Sequence, residues 1–180
     1  AAVTIPITIA NDDLYEAGET MTVSIVQNAN ASINGSQNSH AVTVTDTDDP
    51  PFLTFELASS TPNEGSGGSD NTYDVNIKLL DPGGSGNEQA LGRGGSFAFT
   101  IAGSGANPAT ETTDWVLTDP GTDKTVTLTT TAGVTATTVT ARITLKDDNV
   151  FEYDEQLTLS LTASPTNLNI NGNATHVMTI

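Results

Sequence analysis

The sequence predicts an all-β protein built as a two-sheet sandwich, and three observations carry that prediction. Gly, Ser, Thr, Asn and Asp are abundant, strong helix formers are sparse, and no stretch sustains the 3.6-residue period of an amphipathic helix. The periodic segments are Val-, Thr- and Ile-rich and alternate apolar with Thr or Ser, the pattern of strands with one buried and one solvated face. The chain also repeats itself. Val3 matches Val139, Glu16 matches Glu152 and His40 matches His176, an offset of 136 (152 − 16), with a one-residue shift at Asn34-Gly35 against Asn171-Gly172. The 180 residues therefore hold one period and part of another.

Residues 1–49 are the later half of a repeat. Val3, Ile5, Ile7 and Ile9 alternate as a strand over 3–10, followed by the acidic loop 11–19. Strands are expected at 20–27 and 40–46, with a polar turn at Asn34-Gly35 between them. Asp46-Thr47-Asp48-Asp49 closes the segment, and Pro50-Pro51 then fixes φ and removes two donors, predicting a stiff boundary. Residues 50–180 form a nearly complete copy. Leu53, Phe55 and Leu57 mark a first strand, and Tyr73, Val75, Ile77 and Leu79 a second, across the glycine-rich turn 63–68. The Gly- and Ser-rich run 83–95 is expected as a hairpin tip outside the core. Further strands are expected near 96–102, 114–118, 124–130, 137–145, 156–163 and 174–180.

Both copies carry the same kind of acidic loop. Asn11-Asp12-Asp13-Leu14-Tyr15-Glu16-Ala17-Gly18-Glu19 returns as Asp147-Asp148-Asn149-Val150-Phe151-Glu152-Tyr153-Asp154-Glu155, with Tyr15 and Phe151 as inward aromatic plugs. Two like charges at 4 Å cost about 4 kcal/mol at an effective dielectric of 20. A fold that keeps such loops solvates them, protonates them or neutralises them with a cation, and a hard oxygen-ligated ion, calcium above all, is the favoured answer. The alternative is a plain solvated acidic turn.

The net charge of −17, with five Lys plus Arg, excludes nucleic-acid backbones and acidic membrane surfaces as partners. No apolar run approaches the ~18 residues of a membrane span. Cysteine is absent, which removes disulfides, thiolate metal sites and thiol nucleophiles. The lack of an initiator Met and of a signal segment is expected of an excised or mature piece of a longer chain, a window on a tandem array or a subunit whose edges a neighbour fills.

Four pieces in order resemble the Calx-beta family: Asn63-Glu64-Gly65 after the first strand, Thr113-Asp114-Trp115 in mid-domain, Asp-Asp-x-x-aromatic-Glu-x-x-Glu before a strand, and the closing Asp cluster. The likeness spans 52–180 and, as a half domain, 1–49. The family is an immunoglobulin-like antiparallel β-sandwich found in sodium–calcium exchangers, an integrin subunit and many bacterial surface proteins. Some members bind several calcium ions where loops converge at one end. The resemblance implies Glu64, Asp114, Asp147, Asp148, Glu152 and Glu155 as ligands in the second copy. In the first copy it implies Asp12, Glu16 and Glu19, closed by Asp48 and Asp49, with Asn11 standing where the pattern prefers Asp.

The remaining chemistry-bearing residues have plainer readings. Trp115 is expected in the core rather than as a sugar platform, and His40 and His176 as hydrogen-bonded strand histidines rather than zinc ligands. Arg93 is read as a solubilising or neighbour-contacting charge. Sequons begin at Asn30, Asn34 and Asn173. Clustered, duplicated carboxylates without a cleft, a nucleophile triad or a phosphate loop argue against an enzyme. The reading favoured by the sequence is a calcium-rigidified structural repeat of an extracellular or cell-surface adhesin, stalk or filament. Its expected partners are adjacent repeats or neighbouring copies that complete strand edges, and a cell-surface or glycan target. A calcium-sensing regulatory module and a carbohydrate- or ligand-binding surface module are the alternatives.

Overall fold

The computed structural model describes residues 3–30, 32–33, 35–120, 124–131, 133–148, 152–162 and 165–180. Among these, every regular element is a strand. In chain order they are β1 (Glu19–Ser24), β2 (Ser39–Val44), β3 (Phe52–Phe55), β4 (Ser59–Ser60), β5 (Asn71–Leu80), β6 (Gly95–Ser104), β7 (Trp115–Asp119), β8 (Thr125–Leu128), β9 (Thr138–Leu145), β10 (Gln156–Leu161), β11 (Asn169–Ile170) and β12 (Thr175–Thr179).

Ten of these strands form two five-stranded sheets, in the orders β11-β3-β5-β9-β7 and β4-β12-β10-β6-β8. Alternation dictates which side chains meet between them. Along β5, Val75, Ile77 and Leu79 point inward; along β9, Ala141, Ile143 and Leu145 do; β6 and β10 answer with Phe97, Phe99, Ile101, Leu157 and Leu159. Trp115 is 1% exposed in this core, with its Nε1–H directed at Ala109 O, so its role is packing. His176 is as deeply placed: Nδ1–H donates to Leu57 O at 2.7 Å and Nε2 pairs with Ser60 Oγ at 2.9 Å. Two side-chain bonds satisfy the buried imidazole and hold the chain between β3 and β4 onto β12.

Several expectations are corrected. No strand forms over 3–10, where Val3, Ile5, Ile7 and Ile9 are all exposed. In the second copy the matching strand β9 is hydrogen-bonded on both sides, to β5 and β7. Residues 3–10 have neither partner among the described residues, and alternation alone cannot hold an unpaired strand in water. Leu57 lies beyond the end of β3 and is exposed, since its carbonyl is needed by His176. The run 83–95 is not all outside the core: Leu91 is fully buried, its N–H donating to Thr135 Oγ1 and its carbonyl accepting from Thr135 N. The two-residue strands β4 and β11 lie below the length that periodicity can detect. Phe151, Asn149, Val150 and the Asn34 of one sequon lie outside the described residues.

The first copy contributes only β1 and β2, a two-stranded antiparallel ribbon with Met21 opposite Val42. Its acidic loop rests on the second copy. Tyr15 is half-buried against the core, bridges to Leu91, and accepts from Gly92 N at 3.2 Å through its carbonyl. The Arg93 guanidinium lies over the Tyr15 ring at 5.7 Å, a cation–π contact that makes Arg93 a neighbour-contacting charge. The Gln89 side-chain amide donates to Asp13 O. Tyr15→Ala removes the one aromatic in this contact. Its expected effect is a loss of about 1 kcal/mol in docking, read as several-fold faster limited proteolysis at 46–51 with the melting of 52–180 unchanged.

Candidate metal centre

The acidic residues of the second copy come from separate places in the chain, and backbone hydrogen bonds beside the strands fix Asp114 and Glu155. Asp114 immediately precedes β7. Its N–H donates to Thr110 O at 3.0 Å, its carbonyl accepts from Lys146 N at 2.9 Å, and its carboxylate accepts from Thr110 N. This locks the turn 110–114 against the end of β9. The turn includes Thr112 at φ 77°, a left-handed conformation that a β-branched residue adopts at a cost, next to the residue the turn positions. Glu155 immediately precedes β10, held by reciprocal backbone bonds with Ile180 at 2.8 and 2.9 Å.

These constraints bring Asp114, Glu152 and Glu155 together, with one carboxylate oxygen of each lying within 4.8 Å of the others. Oxygens bound to one calcium ion at about 2.3–2.6 Å can be no farther apart than about 4.6–5.2 Å. Asp114 is 5% exposed. Glu155 Oε2 is shut off from solvent without a hydrogen-bond partner. Burial chiefly, then a hydrogen bond to Asp114 and the charges of Asp114, Glu152 and Glu64, push the Glu155 carboxyl up to about 7. Burial also raises Glu152, with the charges of Asp148 and Asp114 adding to it. Three clustered carboxylates, one with an orphaned buried oxygen, form an all-oxygen donor set that fits a hard divalent cation.

The other candidate ligands ring this triad. Glu64 is partly buried and its carboxyl is raised by burial and by Glu152, Asp148, Asp114 and Asp147, so it faces the same cluster. Asp147 Oδ2 accepts from Gly68 N at 2.5 Å and its own N–H donates to Asp70 Oδ1 at 3.2 Å, tying the turn 63–69 to the end of β9. Gly65 makes that approach possible, because a Cβ there would lie 1.8 Å from Ser69 O and 2.9 Å from Asp147 Cβ. Asp148 is exposed at the rim. The ion pairs among the described residues lie elsewhere, joining Lys78 to Glu56 and Glu88, Arg142 to Asp74, and Lys146 to Asp70.

In the first copy Glu16 and Asp48 are held above the ordinary carboxylate range, by burial first. For Glu16 the charges of Asp12, Glu19, Asp46 and Asp48 follow, and for Asp48 those of Asp46, Asp13 and Asp12. Asp49 is exposed and lines a cleft with Asp13, Asp81 and Glu88. Sequence reasoning passed over Asp46 as a site residue. Its carboxylate accepts from Glu16 N at 2.8 Å and Asp48 N at 3.1 Å, and those bonds hold it below the usual range. The Asp46-x-Asp48 spacing was the available signal, since a carboxylate commonly caps the N–H two residues on. Asp70 was also missed; it bonds Lys146 and organises Asp147 from outside the motif.

The Calx-beta domain family model matches residues 1–50 and 109–180, more than half of the chain. The chain belongs to the Calx-beta family. The match omits 51–108, so the likeness expected over all of 52–180 is carried from residue 109 onward. Among solved structures the chain is similar to CBD12 from CALX1.2, with a TM-score of 0.50 at 21% identity, covering 71% of this chain and 42% of that one. The apo-form Calx CBD1 domain aligns at 0.47 and 20% identity over 72% of this chain and 96% of that one. The calcium binding domain CBD12 of CALX1.1 aligns at 0.46 and 21% over 70% and 44%. The chain thus spans less than half the length of the first of these, and the likeness is one of fold. No curated protein sequence matches.

Two predictions follow from this geometry. Thr112→Gly relieves the left-handed strain and raises metal-free stability by roughly 1 kcal/mol in denaturant titration, without moving Asp114. The second concerns pH. A Glu155 carboxyl at about 7 in the folded chain, against 4.5 for an ordinary glutamate, binds a proton that the unfolded chain has lost between those values. In chelator, stability therefore falls as pH rises from about 5 to 8. Glu155→Gln flattens that slope in a melting series.

Proposed function

We propose that this Calx-beta chain is a non-enzymatic calcium-binding structural repeat of an extracellular or cell-surface adhesin, stalk or filament. The observation that carries the calcium reading is the Asp114, Glu152 and Glu155 cluster, whose ligand oxygens lie within 4.8 Å and include a buried Glu155 oxygen with no partner. Asp114 and Glu155 would hold the ion from strand ends, Glu152 from the loop, with Glu64, Asp147 and Asp148 filling the outer positions. The ion would supply positive charge where the fold brings carboxylates together and, among the described residues, pairs no basic side chain with Asp114, Glu152 or Glu155. The nearest role for it is to close the tip of the sandwich.

The structural role draws on the junction. Asp13, Asp48 and Asp49 of the first copy face Asp81 and Glu88 of the second across a cleft of about 330 Å³. The Asp12, Glu16, Glu19, Asp46 and Asp48 group lies beside it. Cations in this region would neutralise opposed acidic surfaces and fix the angle between successive repeats. No helix of the structure is long and apolar enough to cross a membrane.

Calorimetric titration of the chelated chain with calcium should show binding with release of protons near pH 7, because Glu155 must ionise. Calcium at 100 times its Kd should raise stability by about 2.7 kcal/mol. Asp114→Asn and Glu155→Gln should each weaken binding about tenfold or more, equivalent to at least about 1.4 kcal/mol. An identical melting temperature in calcium and in chelator would overturn the calcium reading. Small-angle scattering that shows the same flexibility in both would overturn the stiffening role.

A further inference from the structure

The sequence holds two Asn-Gly pairs, Asn34-Gly35 and Asn171-Gly172, and the second lies wholly within the described residues. Asn171 and Gly172 are both exposed, in the turn that leads from β11 to β12. The Gly172 N–H donates to the Oδ1 of Asn171 at 2.8 Å. That bond holds a main-chain nitrogen beside the side-chain carbonyl of the preceding residue, the two groups that form an imide when they join. Gly172 has φ 70° and no side chain to shield its nitrogen; a Cβ there would lie 3.0 Å from Thr54 Oγ1.

We propose that Asn171 is a self-modification site, converted in water through a succinimide to aspartate and isoaspartate. Hydroxide takes the Gly172 amide proton, the nitrogen attacks Asn171 Cγ, and the Cγ–Nδ2 bond breaks to release ammonia, protonated from water. Water then opens the imide. Breaking the new Cγ–N bond restores the main chain and leaves aspartate, whereas breaking the original C–N bond routes the main chain through Cγ and leaves isoaspartate. Nothing is oxidised or reduced, and water is the co-reactant.

The surroundings separate the consequences of the two products. β11 pairs parallel with β3, Asn169 beside Phe52 and Ile170 beside Leu53, and the Asn171 N–H donates to Leu53 O at 3.2 Å. Two residues on, the Asn173 N–H donates to Thr54 Oγ1 at 3.0 Å and its carbonyl accepts from Phe55 N at 2.8 Å. The main chain is thus clamped to β3 on both sides of the 171–172 bond. Aspartate adds a charge to an exposed side chain and leaves those clamps in place. Isoaspartate inserts a methylene between them, so both cannot keep their length. The two-residue β11 yields before β12, which is held to β10 over five residue pairs.

The test incubates the folded chain in mildly alkaline buffer with chelator, beside the same chain in urea, so the result is independent of the calcium reading. Deamidation is read residue by residue by peptide mass spectrometry, with enzymatic methylation marking isoaspartate. Folded Asn171 should convert no slower than in urea, and about tenfold or more faster than the asparagines not followed by glycine. Asn171→Ser should abolish the reaction at this position. Chain enriched in isoaspartate should exchange the amide hydrogens of Phe55 and Asn173 several-fold faster, while Asn171→Asp, which carries the charge without the methylene, should exchange like the parent. Conversion about tenfold slower in the folded chain than in urea would mean that the fold shields the site, and the proposal would fail. Unchanged exchange at Phe55 and Asn173 in the isoaspartate form would refute its structural consequence.

Discussion

Carboxylates pushed out of water beside one another, with no basic side chain paired to Asp114, Glu152 or Glu155 among the described residues, set the terms for this molecule. Each is tolerable at the surface, but the fold brings Asp114, Glu152 and Glu155 to one point. Among the described residues, no ion pair reaches Asp114, Glu152 or Glu155. Lys78, Arg142 and Lys146 pair with Glu56, Glu88, Asp74 and Asp70 along the sheet surface and the turn beyond β9. Burial and its acidic neighbours hold the Glu155 carboxyl up to about 7, which favours a proton at the cluster below that pH. Protonation and cation binding are alternative answers to one electrostatic cost.

That centre depends on packing remote from it. Glu155 and Asp114 are placed by backbone ladders, the first through Ile180 and the second through Lys146 at the end of β9. The glycine-rich turn 63–69 lies close enough to bond Asp147 only because Gly65 has no side chain. The core under β7, β9 and β10 therefore fixes where the Asp114 and Glu155 carboxylates lie.

The pair of copies separates what a strand sequence encodes from what its neighbours supply. Ile7 and Ile143 sit in the same pattern, yet one faces water and the other is fully buried. Alternation specifies which side chains share a face; it does not provide the opposing sheet or the hydrogen-bond partner that makes the segment a strand. The expected strand over 3–10 fails for this reason and for no fault in its sequence. The docking of Tyr15 beneath Arg93 and on Leu91 belongs to the same class of fact, a contact between sequence-distant loops that no local pattern announces.

The β class, the duplication, the long strands of the second copy and the acidic composition of its loops were legible from residue order alone, because period-2 alternation and like-charge clustering are local properties. The place of Trp115 in the core was legible from residue type, and the histidines' strand positions from the pattern. Only the tertiary structure decided which carboxylates meet, that Asp46 and Asp70 hold the loops, that Leu91 leaves its glycine-rich run for the core, and that β4 and β11 exist at all. Those outcomes rest on pairings between residues tens of positions apart, and their geometry exists only once two sheets have closed on one another.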